Sequence, residues 1–247
     1  MYVLTIDQRG STSDVDRVPD LIAELRSLTG AHFERSVGDE LQGTVGDALD
    51  VVDIALHALR SGHWYVGIGI GDVRLEPGGS PREGTGSGFV AARTAVEAAK
   101  GAAGHVPLSV VAGTMDSFKG APRNSREEPA GRNNGATAGT NAEMNTSVNT
   151  AAHAAANAAA NAQAVLRLIG RLVQQRTEAQ WRVVDRLRAA GGGGRHGSQK
   201  PVARELGITE QSVSRAVLRS GWQEEWAARP AAAMLLDHAL AHTKGDR

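Results

Sequence analysis

Residues 198–219, SQKPVARELGITEQSVSRAVLR, have the spacing of two short helices joined by a tight turn. Ala203 is small where the helices would cross, and Gly207 stands where the turn requires a positive φ. Thr209 follows as a capping residue for the second helix. Val202, Leu206, Ile208, Val213 and Val217 fall where the two helices would bury a shared face. This is the pattern of a helix-turn-helix, and the second helix, about Glu210 to Arg219, is expected to lie in a major groove. One local signal therefore points to DNA binding.

Charge distribution agrees with that expectation. The chain of 247 residues has no net charge, with 27 Lys+Arg and 27 Asp+Glu. Residues 1–100 carry 9 Lys+Arg against 15 Asp+Glu, whereas residues 165–220 carry 11 against 4. The basic half would approach phosphate, although opposite halves could also attract each other. Within the second helix, Gln211 and Arg215 are the expected base readers, because Gln pairs bidentately with adenine and Arg with guanine. Lys200, Arg204, Ser212 and Arg219 are expected to touch phosphate.

Cysteine is absent, which excludes disulfides and thiolate metal sites and fits a cytoplasmic location. No apolar run approaches the roughly 20 residues of a membrane helix, and the N-terminus lacks the order of a signal peptide. The eight His show no ligand spacing for zinc. Gly67, Gly69 and Gly71 do not make a dinucleotide fingerprint, because no helix start with a third spaced Gly follows.

Periodicity divides the chain into three parts: an α/β domain over 1–119, an Asn/Ala-rich linker over 120–161 and a helical domain over 162–247. In the first, strands are expected at Tyr2–Ile6, Phe33–Val37, Leu41–Val45, Trp64–Val73 and Pro107–Ala112. Helices are expected at Arg17–Leu28, Ala48–Arg60 and Phe89–Lys100. The first six elements follow a ferredoxin-like split βαβ order, an antiparallel sheet with helices on one face. The alternating glycines of 67–71 leave one bare strand face, on which another element should pack closely. The linker is too poor in large apolar groups to offset chain entropy, so it is expected to be weakly ordered, with its Ala-rich end open to helix. In the third part, helices are expected at 164–175, 177–190 and 230–242, besides the helix-turn-helix. The fold class is thus α+β, followed by an all-α unit.

The segments T-I-D-Q-R-G-S-T, S-V-G-D-E-L-Q-G, G-I-G-I-G-D-V and F-V-A-A-R resemble, in this order, those of class III nucleotidyl cyclases. The resemblance implies that Asp7 and Asp39 would hold divalent cations, Mg²⁺ with a nucleotide, and that Arg93 would face the phosphates. Two carboxylates on neighbouring strands repel unless a cation lies between them. The backbone of Gly10, Ser11 and Thr12 could approach a phosphate at a helix start. Phe89 stands where the cyclases present an Asn, and no Lys/Asp pair for a purine is evident, so activity is expected to be lost. Asp7 capping a turn and Asp39 shaping a hairpin remain the plainer alternative.

Together, the halves resemble the SatD family of bacteria. The motif residues are Asp7-Gln8-Arg9-Gly10-Ser11, the run Phe33 to Gly43, the run Gly67 to Val73, Gln180-Trp181 and Gln211-Ser212-Val213-Ser214. The resemblance covers 1–112 and 163–237 and implies an N-terminal cyclase-like domain joined to a DNA-binding helix-turn-helix. The leading expectation is a regulator that binds double-stranded DNA. Its acidic half would sense a nucleotide or metal, or would mediate homodimerisation. The alternatives are a divergent cyclase or metal–nucleotide enzyme using Asp7, Asp39 and Arg93, and a scaffold that binds protein.

Overall fold

A computed structural model describes residues 1–12, 14–76, 78–102, 106–113, 137–191 and 199–243, with side chains from 149 onward in the long helix that begins at 137. The element order is β1 (Tyr2–Gln8), α1 (Val18–Leu28), β2 (His32–Arg35), β3 (Glu40–Val45), α2 (Ala48–Ser61), β4 (Trp64–Ile70), α3 (Ser87–Lys100), β5 (Leu108–Ala112), α4 (Thr137–Gln175), α5 (Glu178–Ala189), α6 (Gln199–Leu206), α7 (Glu210–Arg219) and α8 (Trp222–Thr243). A short 3-10 turn, Pro81–Glu83, lies between β4 and α3. The protein is mixed α and β, as the periodicity implies.

The sheet runs β2-β3-β1-β4-β5. Its first four strands are antiparallel neighbours, but β5 joins β4 in parallel, so the sheet is mixed and not antiparallel throughout. The cause is the connection: α3 carries the chain back across the sheet, as a parallel neighbour requires.

Register assigns the two faces. Leu4 pairs with Gly43 and Ile68, and Ile6 with Leu41 and Val66, so these residues share a face. That face meets α1, α2, α4 and α8 in one apolar cluster. The opposite face carries Val3, Thr5, Asp7, Gln42, Gly67 and Gly69. Here α3 settles on the bare strand. A Cβ on Gly67 would stand 2.7 Å from the Ala92 carbonyl oxygen, and one on Gly71 would stand 2.7 Å from the Gly88 nitrogen. Within the first six elements α1 and α2 thus share one face, as expected, and α3, the next helix, covers the other. The glycines allow a closeness of helix and strand that any side chain would prevent.

Where it is described, the stretch over 120–161 is helical, at its Ala-rich end as the sequence allows and also ahead of it. A helix begins at Thr137 and runs without a break to Gln175. Ala155, Ala158, Ala159 and Ala162 are buried, in contact range of a helix whose own inward residues include Ala232, Ala233 and Ala239. Small side chains bring the axes of α4 and α8 close, so the pair needs few large groups. The linker residues before 137 lie outside the described residues.

The last helix also differs: α8 spans Trp222–Thr243 with Pro230 inside it, where a helix start at Pro230 is expected. α4 closes the free edge of β5. The Val110 amide and the Ser109 hydroxyl donate to Gln163 Oε1, at 2.9 and 2.8 Å, and Arg167 Nε donates to the Leu108 carbonyl at 2.8 Å. Side chains thereby satisfy an edge that would otherwise invite another strand. The apolar cluster continues from the sheet through α4 and α8 into α5, α6 and α7. No helix among the described residues is long and apolar enough to cross a membrane.

Candidate nucleic-acid interface

α5, α6 and α7 pack against one another as a three-helix unit. Thr177 starts α5 with a capping box: its hydroxyl accepts from the Gln180 amide while Gln180 Oε1 accepts from the Thr177 amide. Between α6 and α7, Gly207 adopts φ +66°. The Ile208 amide donates back to the Ala203 carbonyl at 3.0 Å, and Gly207 to Arg204 at 3.3 Å. This left-handed closure ends α6 and turns the chain sharply. Thr209 then caps α7 by accepting from the Ser212 amide at 3.2 Å. Val202, Ala203, Val213 and Val217 are buried as expected. Ile208 is not: it is 39% exposed, because the glycine turn aims it outward.

The sequence-selected DNA residues lie on α6 and α7. Lys200, Arg204, Gln211, Ser212, Arg215 and Arg219 are all exposed. None of the four cations has an ion-pair partner among the described residues. Gln211, Ser214 and Arg215 form a stripe on α7 opposite Val213 and Val217. Other basic residues of this half are committed elsewhere. Arg186 pairs with Glu205 at 2.9 Å. Arg176 meets Glu225 at 2.7 Å and Arg188 meets it at 3.3 Å.

That last group is one that sequence reasoning missed. Glu225 is fully buried at the start of α8, where Arg229 also pairs with it and with Asp53 of α2. Burial pulls the Arg176 and Arg188 guanidinium groups below their ordinary range, while Glu225 pulls the other way. Arg60 of α2 stacks 3.9 Å above the Trp181 ring of α5. The one available signal was spacing: Trp222, Glu225, Trp226 and Arg229 recur on one helix face.

On the sheet, Asp7 and Glu40 are cross-strand partners. Asp7 is almost fully buried, and its carboxylate accepts from Lys100 Nζ at 2.9 Å. Lys100 also meets Glu97 at 3.0 Å. Those two carboxylates hold its ammonium up to about 12 against the opposing pull of burial. Burial raises Asp7, with Lys100 opposing and Asp39 adding to the rise. Asp39 lies in the hairpin turn, where its carbonyl accepts from the Gln8 amide at 3.1 Å. Arg93 is exposed on α3, where its charge opposes the rise that burial imposes on Glu40. Residues 9–12 form a turn, and the next helix starts only at Val18, so Gly10–Thr12 do not open a helix. Among the described residues no three His, Asp or Glu side chains are grouped to hold a metal ion. A divalent ion would find Asp7 already neutralised by an ammonium, so these residues do not fit the Mg²⁺ site that the cyclase resemblance implies.

Comparison of the chain with protein-family models, with curated proteins and with solved structures returns no match.

Proposed function

We propose that the protein is a DNA-binding transcriptional regulator that reads duplex DNA through α7. The observation that carries this reading is the capped α7, whose outward face offers Gln211, Arg215 and Arg219 with no side-chain partner among the described residues, beside a Ser212 hydroxyl bonded to Thr209. A stripe of unpaired cations and amide groups on a short rigid helix suits a major groove lined by phosphates. Gln211 and Arg215 would meet base edges. Lys200, Arg204, Ser212 and Arg219 would fix the helix on the backbone.

The sheet unit fits a ligand-sensing or dimerisation role in the same protein. The order β2-β3-β1-β4 follows the split βαβ plan of ferredoxin-like and cyclase-like domains, which supports the resemblance to the SatD family. The ammonium of Lys100 on Asp7 weighs against metal-dependent phosphoryl transfer there. Arg229 ties α8, the helix that follows α7 in the chain, to Asp53 of α2.

The test is selection of duplexes from a randomised pool with the full chain, followed by fluorescence anisotropy across salt concentrations. Expected is a preferred sequence whose affinity falls as salt rises, with a slope that shrinks by about 0.9 for each phosphate-binding cation removed. Equal, salt-independent affinity for every duplex, or no binding, overturns the reading.

A further inference from the structure

Leu218 stands out on α7 because nothing in the fold uses it. It is 74% exposed, although an apolar side chain of this size gains from burial. Its position is not peripheral to the reading face. Gln211, Ser214, Arg215 and Leu218 follow the spacing i, i+3, i+4 and i+7, so all four lie on one stripe, opposite the buried Val213 and Val217. At about 1.5 Å of rise per residue, Gln211 and Leu218 stand about 10 Å apart along the axis, the height of roughly three base pairs. Their angular positions differ by only about 20° on an ideal helix.

The surroundings decide what Leu218 would meet. A protein-binding patch has an apolar, charge-depleted centre. On the outward face of α7 Leu218 is instead the one large apolar residue, with Gln211, Ser214, Arg215 and Arg219 exposed around it. Two of these neighbours are cations without partners. A surface that is cationic at its rim and has one apolar point suits a polyanion that also displays an isolated apolar group. In the major groove that group is the C5 methyl of thymine.

We propose that Leu218 is a specificity-determining residue of α7 that recognises a thymine methyl, in the same half-site whose bases Gln211 and Arg215 read. The inference rests on the DNA-binding reading above and adds to it the requirement for an A·T pair at one position.

The test replaces each thymine of the selected duplex with uracil, one at a time, which removes the methyl and leaves the pairing. Expected is one position at which the exchange weakens the full-length wild type about threefold to fivefold, the scale of one buried methyl group. In Leu218→Ala the same exchange has no effect, and this variant binds the thymine duplex about as weakly as wild type binds the uracil duplex. The exposed site lets Leu218→Ala fold as wild type does, which circular dichroism checks. Uracil exchanges without effect, or with the same effect in both proteins, overturn the assignment while leaving DNA binding intact. A shift of oligomeric state in Leu218→Ala, seen by sedimentation, overturns it in favour of contact between copies. Absence of any duplex binding removes the DNA reading itself, and the role of Leu218 with it.

Discussion

Arg60 and Asp185 join the two halves of the chain through paired hydrogen bonds, with guanidinium nitrogens 2.8 and 2.7 Å from the two carboxylate oxygens. The same guanidinium covers the Trp181 ring. α2 of the sheet unit is thereby held against α5, the helix on which α6 and α7 rest. Both side chains are about a third or more exposed, so the pair contributes little by itself. Its importance is orientation. Together with the Arg229–Asp53 contact, it joins α2 to the helices on either side of α6 and α7, where the Asn/Ala-rich stretch alone implies loose coupling.

Glu225 should be the most sensitive position of that junction. Its carboxylate faces Arg176, Arg188 and Arg229 and has no access to water. Glu225→Ala leaves Arg176 and Arg188 without their ion-pair partner, and Asp53 as the one carboxylate paired with Arg229. Removing one member of a buried ion pair costs about 3–5 kcal/mol. The expected outcome is a urea midpoint lowered accordingly, with loss of DNA affinity only as folded protein disappears. A cost under about 1 kcal/mol would mean that water reaches the cluster.

Much of the sheet unit was legible because its signals are periodic and local. The apolar rows of β1 and β4, the Gly38 turn and the aliphatic stripe of α2 each specify one element without help from afar. The helix-turn-helix was legible for the same reason. What escaped depends on partners distant in sequence. The alanines of α4 carry no strong signal until the alanines of α8 lie against them. Glu225, in a run of Gln and Glu, resembles a solvated helix start until Arg176 and Arg188 close over it. Ile208 has the identity of a core residue, yet its position after the left-handed Gly207 decides its direction. At the candidate metal site, the Asp7 and Asp39 motif was visible, but the ammonium that neutralises Asp7 comes from the far end of α3.

The glycines of β4 make the contact with α3 a steric prediction. A methyl group on Gly67 would meet backbone atoms of Ala92 and Val96, which cannot rotate away. Gly67→Ala should therefore push α3 off the sheet at a cost of about 1–3 kcal/mol. Thermal melting of the variant checks this. An unchanged midpoint would show that α3 does not sit as closely as described.

Glu40 should cost the protein stability at neutral pH. Burial raises its carboxyl above the ordinary value of 4.5, with Asp7 adding to the rise, while Ser36, Arg93 and Lys100 oppose it. The unfolded chain therefore releases this proton more readily than the folded one, so ionisation favours unfolding. The folded state gains from this group below about pH 4.5 and loses that gain as pH rises through the raised value. Glu40→Gln removes the ionisation. It should match or exceed the wild type at pH 7 and lose that advantage toward pH 4. Denaturant titrations at both pH values test the sign, and a variant weaker at pH 7 than at pH 4, relative to wild type, contradicts it.

Arg215 and Lys200 should fail in different ways when removed. Both are exposed and unpaired, but Arg215 projects from the α7 stripe beside Gln211, whereas Lys200 stands at the start of α6. A base-reading Arg carries discrimination of about 1–3 kcal/mol, so Arg215→Ala should bind the selected duplex roughly tenfold to a hundredfold more weakly and tolerate change at one base pair. Lys200→Ala should weaken selected and scrambled duplexes alike and lower the salt slope by about one. Anisotropy on both duplexes at several salt concentrations separates the two behaviours. If both variants lose affinity equally on both duplexes, Arg215 meets phosphate, and base reading rests on Gln211 and its neighbours.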